Sequence, residues 1–599
     1  MLQVLLLFLY MGATCGILGY GALSFLTGLP LFRTGSGNYR IRHGVSPLLA
    51  GVLCAAVYAQ IFSLFAPVGL AANLLLIILC FIIAWHYRGP LTDEVRASLG
   101  CCGQPGKLLL FVFLVLLMAY GTSHGIMHYD TGLYHAQSIR WIEEYGVVKG
   151  IANLHSRLGY NSAAFAFSAL YSFAFTGNGS LHAGAGFFAL LLAFSCLDIR
   201  HIPGRGRPVL TDFVRLAGIY YLFNIYKEIV SPAPDYFLNC YLFCLLILWL
   251  DLDERRERHY LPYALIVAGI SFAVTIKLSA ALLLLLCVKP IAMILRERKR
   301  EDKNDALYRI AFFSVLTFAV ALPWMLRNLL VSGWVLYPSA FPDLLHVLWK
   351  VPHDLAEGDA AGIRAYARGG ISADAPFHEW FLPWFSSQTL VSRVLLAADL
   401  CTIVGVLICL PVSLARRVRT GRKMITGENG DTNVRQTSVP DLHHASSMWD
   451  RGFLVLEGTL LISFLFWFLQ SPLIRYGFFF VWTPPVLFAG QLVLVLTQRQ
   501  SEQGKLRFSR VLMVFLAVFL LYKGIRLIQT DITLMHPENL LVQQDYERFE
   551  LIPYEVDGET FYYAAEGDRT GYDGFPGGDH RASFRLLGNS LRDGLRAER

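Results

Sequence analysis

Apolar runs long enough to cross a bilayer recur along almost the whole chain, and no other feature narrows its fold as much. LLLFVFLVLLMAY (108–120), LSAALLLLLCVKPIAMIL (278–295) and VLMVFLAVFLLY (511–522) are three of them. About 20 consecutive apolar residues span the hydrocarbon core as a helix, the only open-ended element that satisfies its own backbone there. Only 16% of the 599 residues are charged and 55% are hydrophobic, against about 25% charged in a soluble globular chain. Expected spans run near 2–28, 45–64, 67–86, 107–124, 180–197, 209–226, 234–252, 260–276, 278–296, 308–331, 388–415, 452–470, 475–497 and 509–528. The reading is an all-α polytopic membrane protein. The first run has no basic n-region and no small-x-small cleavage site, so it reads as a span and not as a removable signal.

The net charge of +7 is no nucleic-acid signature, because the basic residues collect in short connectors. FRTGSGNYRIRHG, HYRGPLTDEVRASLG, DIRHIPGRGRP, DLDERRERH, LRERKREDK, ARRVRTGRK and TQRQSEQGKLR carry them, and the positive-inside rule puts such loops in the cytoplasm. Alternation then closes with fourteen crossings and both termini outside. The segment NSAAFAFSALYSFAF (161–175) is apolar but short, and reads as a re-entrant or interface-lying helix. Nine of the eleven cysteines lie in apolar runs, and the Cys101–Cys102 pair lies in a basic connector. No disulfide framework or zinc spacing is present. The polar 416–450 stretch reads as a flexible cytoplasmic loop.

On the outer side, HYDTGLYHAQSIRWIEEYG (128–146) follows a span directly. AQSIRWIEEYGVV mixes Ile139, Trp141 and Ile142 with Arg140, Glu143 and Glu144, which suits a helix lying in the interface plane. Asp130 falls at the water boundary; capping the next helix is its ordinary role. Asp235, Lys277, Arg327 and Arg475 also fall at outer helix ends. Each alone reads as a snorkelling residue. Together they place two carboxylates and three cations on one face, where cations suit a phosphate and a carboxylate suits a general base.

The order of these residues resembles the GT-C superfamily of integral membrane glycosyltransferases. Asp130 with IRWIEEYG and the 161–175 helix match its first outer loop, and Pro234–Asp235 its acidic pair opening a later outer turn. GISFAVTIK, PWMLRN followed by GWVLYP, and Arg475–Tyr476 match further members of the series. The likeness spans about 107–500, and the 129–162 stretch resembles a loop of bacterial membrane proteins of this type. It divides the chain into N-terminal helices preceding the core (1–106), a GT-C-like catalytic core (107–500), a last span (501–530) and an outer tail (531–599). The resemblance implies transfer of a sugar from a polyprenyl-phosphate lipid to an acceptor hydroxyl at the extracytoplasmic face, with inversion, in a bacterial cytoplasmic membrane. Asp130 would be the base, with Lys277, Arg327 and Arg475 on the donor phosphate. Asp235, His128, His135, Arg157 and Tyr476 would bind substrate, with His155 also near the acceptor. The acceptor would be a glycan, lipid or protein.

Three helices precede the usual start of such a core, and the first loop carries a lone aspartate where many members have an acidic pair. The nearest second acid is Glu143. Hard divalent ions want several oxygens, so metal-free transfer is the expectation. Two features stay outside the scheme. The 332–387 loop is long enough to cover the site, and Asp399 and Glu457 lie inside apolar runs as buried partners or near-surface snorkellers. A flippase or other transporter of lipid-linked sugars is the alternative; transporters tend to keep charges near the midplane and carry internal repeats, whereas here charges gather on one face.

Overall fold

Among the described residues, eleven helices are long and apolar enough to cross a membrane, twelve if Leu70–His86 and the sharply bent Arg88–Arg96 form one span. The computed structural model describes residues 1–34, 37–38, 45–101, 105–297, 303–425, 451–498, 500–531 and 533–598. The chain is a mostly helical, multi-pass membrane protein. Two of the fourteen expected crossings, Leu210–Ile225 and Leu261–Ile276, are only 16 residues each. At about 1.5 Å per residue they fall short of a hydrocarbon core about 30 Å thick. Most of their residues are buried against neighbouring helices, so their ends need not reach both interfaces. Of the 416–450 stretch, residues 426–450 lie outside the described residues, as do Cys102 and parts of the connectors at 32–44 and 295–303.

Burial ranks the helices. The span Pro234–Glu254 is 83% buried and Glu502–Asp531 only 6%, so the former is the axis of the bundle and the latter a lipid-facing rib. Leu2–Gly28 and Ser46–Ser63 pack backbone to backbone. A Cβ on Gly19 would meet the Pro47 carbonyl at 1.8 Å, and one on Gly51 the Cys15 carbonyl at 1.7 Å. Small residues that admit this approach are the usual means of joining helices in lipid, where no hydrophobic effect drives them together.

The first outer loop is built from short pieces: a wide turn at Thr131–His135, the helix Ala136–Glu144, 3-10 turns at Ile151–Asn153 and Ser156–Tyr160, and the helix Ala163–Leu170. Every residue of Ala163–Leu170 is buried. That segment, expected at the interface or as a re-entrant hairpin, is enclosed by protein. The helix Ala136–Glu144 is likewise roofed and not laid open to water. Its Gln137 amide donates to the Gly571 and Gly574 carbonyls at 2.8 and 2.9 Å, and Arg140 donates to the Tyr572 carbonyl at 2.8 Å.

The roof is the tail after residue 532, which is β-rich. Leu551–Val556 and Glu559–Ala564 form an antiparallel hairpin. Asp557 and Gly558 at its tip have φ of 49° and 86°, the left-handed pair a two-residue hairpin turn requires. Gly577–Gly578 pairs alongside, and Phe584–Leu586 pairs with Leu595–Ala597. Tyr554, Phe561, Phe584 and Leu595 share one apolar cluster with Trp141, Val148, Leu154 and Val331. The tail therefore has no core separate from the first loop. The 332–387 segment folds into helices His353–Ala367 and Phe377–Ser387. It is pinned at Asp359, which accepts from Ser156 and Tyr160, and at Trp384, which donates to the Pro472 carbonyl.

Replacing Gly51 by Leu forces the first two spans apart, and overpacking of this kind costs about 1–3 kcal/mol, sometimes more. Gly12 on the same helix meets nothing within 4 Å of a built Cβ. Thermal unfolding in detergent should therefore fall clearly for Gly51→Leu and stay near wild type for Gly12→Ala. Equal melting points would contradict this packing.

Candidate functional site at one end of the bundle

Four charged side chains from four separate segments meet at the end of the bundle where the first outer loop lies. Asp130 precedes the Thr131–His135 turn and makes no capping hydrogen bond to it. Its carboxylate instead accepts from Arg475 Nη2 at 3.0 Å, so the ordinary capping role does not account for it. Asp235 occupies the first turn of Pro234–Glu254, where the positive end of the helix dipole favours an acid. It accepts from Lys277, and Arg475 Nε lies 3.4 Å from its other oxygen. Lys277 is the residue at which the Leu261–Ile276 helix ends, and Arg475 stands in the turn between Arg451–Gln470 and Phe478–Gln498.

Tyr476 completes the cluster: the Lys277 ammonium lies 3.6 Å from its ring centroid and the Arg475 guanidinium 5.1 Å, both within cation–π range. Two acids and two bases leave the group formally neutral. Burial works against the charge of Arg475, but Asp235, Tyr476 and Asp130 outweigh it and raise its pKa further. The cluster is reachable: the side chains of Asp130, Arg475 and Lys277 are 20%, 26% and 28% exposed, and Asp235 9%.

The surrounding residues set the geometry. The Asp130 amide donates to His128 Nδ1 at 3.1 Å, so a neutral His128 carries its proton on Nε2. Burial, and then Arg475, lowers the His128 pKa, which favours that neutral form. The His128 amide in turn donates to Ser231 Oγ at 2.7 Å, fixing the loop against the turn before Asp235. Asn239, which the sequence reading passed over, donates to the Asp235 carbonyl at 2.8 Å and accepts from the Phe479 amide at 3.1 Å. One amide side chain thereby ties the Asp235 helix to the start of the helix that follows Arg475. Its signal was available: a polar residue one turn after Asp235 inside an apolar run.

Arg157 makes no ion pair among the described residues. Burial opposes its charge, but Tyr160, Asp130, Tyr134 and Asp359 all act to raise its pKa. It is thus a cation within electrostatic range of Asp130, with no carboxylate bound to it among the described residues.

Three expected site residues are placed differently. Arg327 is 4% exposed, and its guanidinium donates to Asn161 Oδ1 at 2.8 Å and to Ser63. It braces three segments and shares no partner with the four-charge cluster, so its assignment to the donor phosphate is corrected. His135 is 2% exposed, stacked between His128 and Phe165, with burial lowering its pKa well below the ordinary value; it supports the loop and cannot reach a substrate. His155 is buried against Asp579 of the tail at 3.4 Å, and burial pushes its pKa down to about 4. The neutral ring that results packs against the roof without a hydrogen bond to it. Among the described residues no three His, Cys, Asp or Glu side chains converge as metal ligands.

A polytopic bundle with a charge cluster at one end is the class defined so far. The chain belongs to the family described as "Domain of unknown function (DUF8201)", whose model matches residues 1–482. All of Asp130, Asp235, Lys277, Arg475 and Tyr476 fall inside that match, whereas the last span and the β-rich tail fall beyond it. No curated protein and no solved structure matches the chain.

The two roles assigned to arginines separate experimentally. Arg327→Ala leaves Asn161 Oδ1 and Ser63 without their donor, a buried loss of about 1–3 kcal/mol. Its melting temperature should drop, while binding of polyprenyl-phosphate lipid by the folded fraction stays at the wild-type level. A selective loss of lipid binding with unchanged stability would return Arg327 to the site.

Proposed function

We propose that the protein is a glycosyltransferase that moves a sugar from a polyprenyl-phosphate-type lipid to an acceptor hydroxyl, at the extracytoplasmic face of a bacterial cytoplasmic membrane. The observation that carries this reading is the meeting of Asp130, Asp235, Lys277, Arg475 and Tyr476 at one accessible end of the bundle. A lipid phosphate can stay at the interface there while its chain remains in hydrocarbon.

Without substrate, Arg475 bridges the two carboxylates. The donor phosphate accepts from Arg475 and Lys277 in its place, which releases an oxygen of Asp130. That carboxylate takes the proton of the acceptor hydroxyl as the hydroxyl oxygen bonds to the anomeric carbon. The bond from that carbon to the phosphate oxygen breaks, and its electron pair leaves on the lipid phosphate. Attack opposite the leaving group inverts the centre. Lys277 and Arg475 stabilise the charge that develops, an electrostatic role often worth several kcal/mol. Asp235 holds both cations in register. Arg157 and His128, both close to Asp130, offer donors suited to a sugar hydroxyl.

The alternative is a transporter of lipid-linked sugars. Asp399 and Glu457, buried inside spans, are the feature it would share with such proteins; the accessible cluster at the end of the bundle favours the enzyme.

Asp130→Asn keeps shape and removes the base, so transfer from a radiolabelled polyprenyl-phosphate sugar should fall about 10²–10⁴-fold while the donor still binds in nanodiscs. Arg475→Ala and Lys277→Ala should weaken donor binding too, since a charge-assisted hydrogen bond is worth about 1.5–3 kcal/mol, or about ten- to a hundredfold. Full turnover by the Asn variant would remove Asp130 from catalysis. Failure of the wild type to bind any polyprenyl-linked donor would sink the enzyme reading.

A further inference from the structure

Two carboxylates away from the cluster have nothing in the fold to bind them. Asp399 and Glu457 are both fully buried, at 0% exposure. All four of their carboxyl oxygens lack a hydrogen-bond partner. They sit on adjacent antiparallel spans, Leu390–Ile425 and Arg451–Gln470. Counted from the end that carries the charge cluster, Asp399 lies about 14 Å down its helix and Glu457 about 20 Å, at about 1.5 Å per residue. Both depths fall well inside a hydrocarbon core about 30 Å thick. The two acids are within electrostatic reach of each other.

Among the described residues, nothing around them supplies a counter-charge, and no base acts on either acid. The helices packed along them, Leu278–Cys287 and Phe478–Gln498, carry no Asp, Glu, Lys, Arg or His, and Cys287 is their one titratable side chain. Leu456 and Leu460 also line a small cavity with Pro234–Glu254, whose Asp251 and Asp253 accept from Arg215 and Lys289. Phe468, about 16 Å along the helix from Glu457, packs on Phe377–Ser387, whose His378 and Glu379 are exposed, and Arg368 donates to the Leu469 carbonyl. On the acids' own helices, Arg393 at the outer end of the first is turned back to the Gln388 carbonyl. The hydroxyls of Thr402, Thr459 and Ser463 each donate to a carbonyl of their own helix, so none has a proton left for a carboxylate. Two ionised carboxylates side by side at membrane depth, with no donor and no cation, are untenable: charges there are paired, hydrated or neutralised.

We infer that Asp399 and Glu457 form an intramembrane proton-binding pair, in which the carboxyls share at least one proton at neutral pH. The ligand class is the proton itself. A carboxyl that keeps its hydrogen carries no charge, which removes the cost of an unpaired carboxylate in apolar surroundings. This site is separate from the charge cluster and does not depend on sugar transfer, so its failure would leave the proposed function standing.

Infrared difference spectroscopy on the full chain in nanodiscs at neutral pH reads the proton directly. The spectrum of the wild type minus that of Asp399→Asn/Glu457→Gln should contain the carbonyl stretch of a protonated carboxylic acid, moved by deuterium oxide and unaffected by sodium chloride. Only ionised carboxylate bands in that difference would overturn the inference. Loss of the acid band on adding sodium would overturn it in favour of an alkali-cation site. If the double variant fails to fold, a lipid-soluble carbodiimide, which adds to protonated carboxyls in apolar surroundings, decides on the wild type. An adduct mapped to residue 399 or 457 supports the pair; adducts confined to other carboxyls reject it.

Discussion

Arg475 is the contact on which the arrangement of the site depends. Asp130 and Asp235 are more than a hundred residues apart in sequence and belong to a loop and to the most buried of the long spans. Held together at the edge of a low-dielectric bundle, they would repel each other strongly. The guanidinium between them, at 3.0 Å from one and 3.4 Å from the other, turns that repulsion into attraction, and Lys277 completes the balance on the Asp235 side. Removing one partner of such a group is costly because it strands the rest. The same neutrality makes the cluster responsive to ligand. In the proposed reaction, an anion entering it would compete for cations already in place and so free a carboxylate to act as base.

The enclosure of this end is made from segments distant in the chain. The β-rich tail covers the Ala136–Glu144 helix through Gln137, Arg140 and Glu143, and its Tyr572 donates to Glu143 at 2.6 Å. The helices of 353–387 rest on the Ser156–Tyr160 turn and on Pro472, three residues before Arg475. The first loop is therefore held from both sides and from below, where the Ser231 hydroxyl takes the His128 amide. The family match ends at residue 482, so the charge cluster belongs to the shared part of the chain and the roof to the part beyond it. The roof's apolar residues pack into the loop's own cluster, and the two fold as one body.

Much of this was legible in the sequence because membrane proteins advertise depth. A charged residue at the end of an apolar run sits at the interface. That logic placed Asp130, Asp235, Lys277 and Arg475 at a common level. Depth is not azimuth, however. Arg327 stands at an outer helix end just as Arg475 does, yet it turns toward Asn161 and Ser63, and no pattern in PWMLRN distinguishes the two cases. The same blindness hid the state of Asp399 and Glu457: hydropathy shows two acids in apolar runs, while only packing reveals that their oxygens meet nothing. Short helices buried by neighbours, such as Leu261–Ile276, also escape a count that assumes each apolar run must cross lipid. The tail reads from its sequence as a small, partly folded outer appendage; the hairpin signal in LIPYEVDGETFYYA, where Asp-Gly separates two aromatic-rich stretches, was passed over. Its docking surface could not be foreseen, since the partner lies some four hundred residues earlier.

The central claim is that one cluster receives a lipid phosphate, and the most direct test is photocrosslinking. A polyprenyl-phosphate sugar with a photoreactive group beside the phosphate would be irradiated with the full chain in nanodiscs, and the adducts mapped by mass spectrometry. The account predicts adducts on residues 128–134, at Lys277 and at Arg475–Tyr476, competed away by unlabelled donor. Adducts concentrated instead along the 390–408 and 452–470 spans, with the cluster unlabelled, would contradict it.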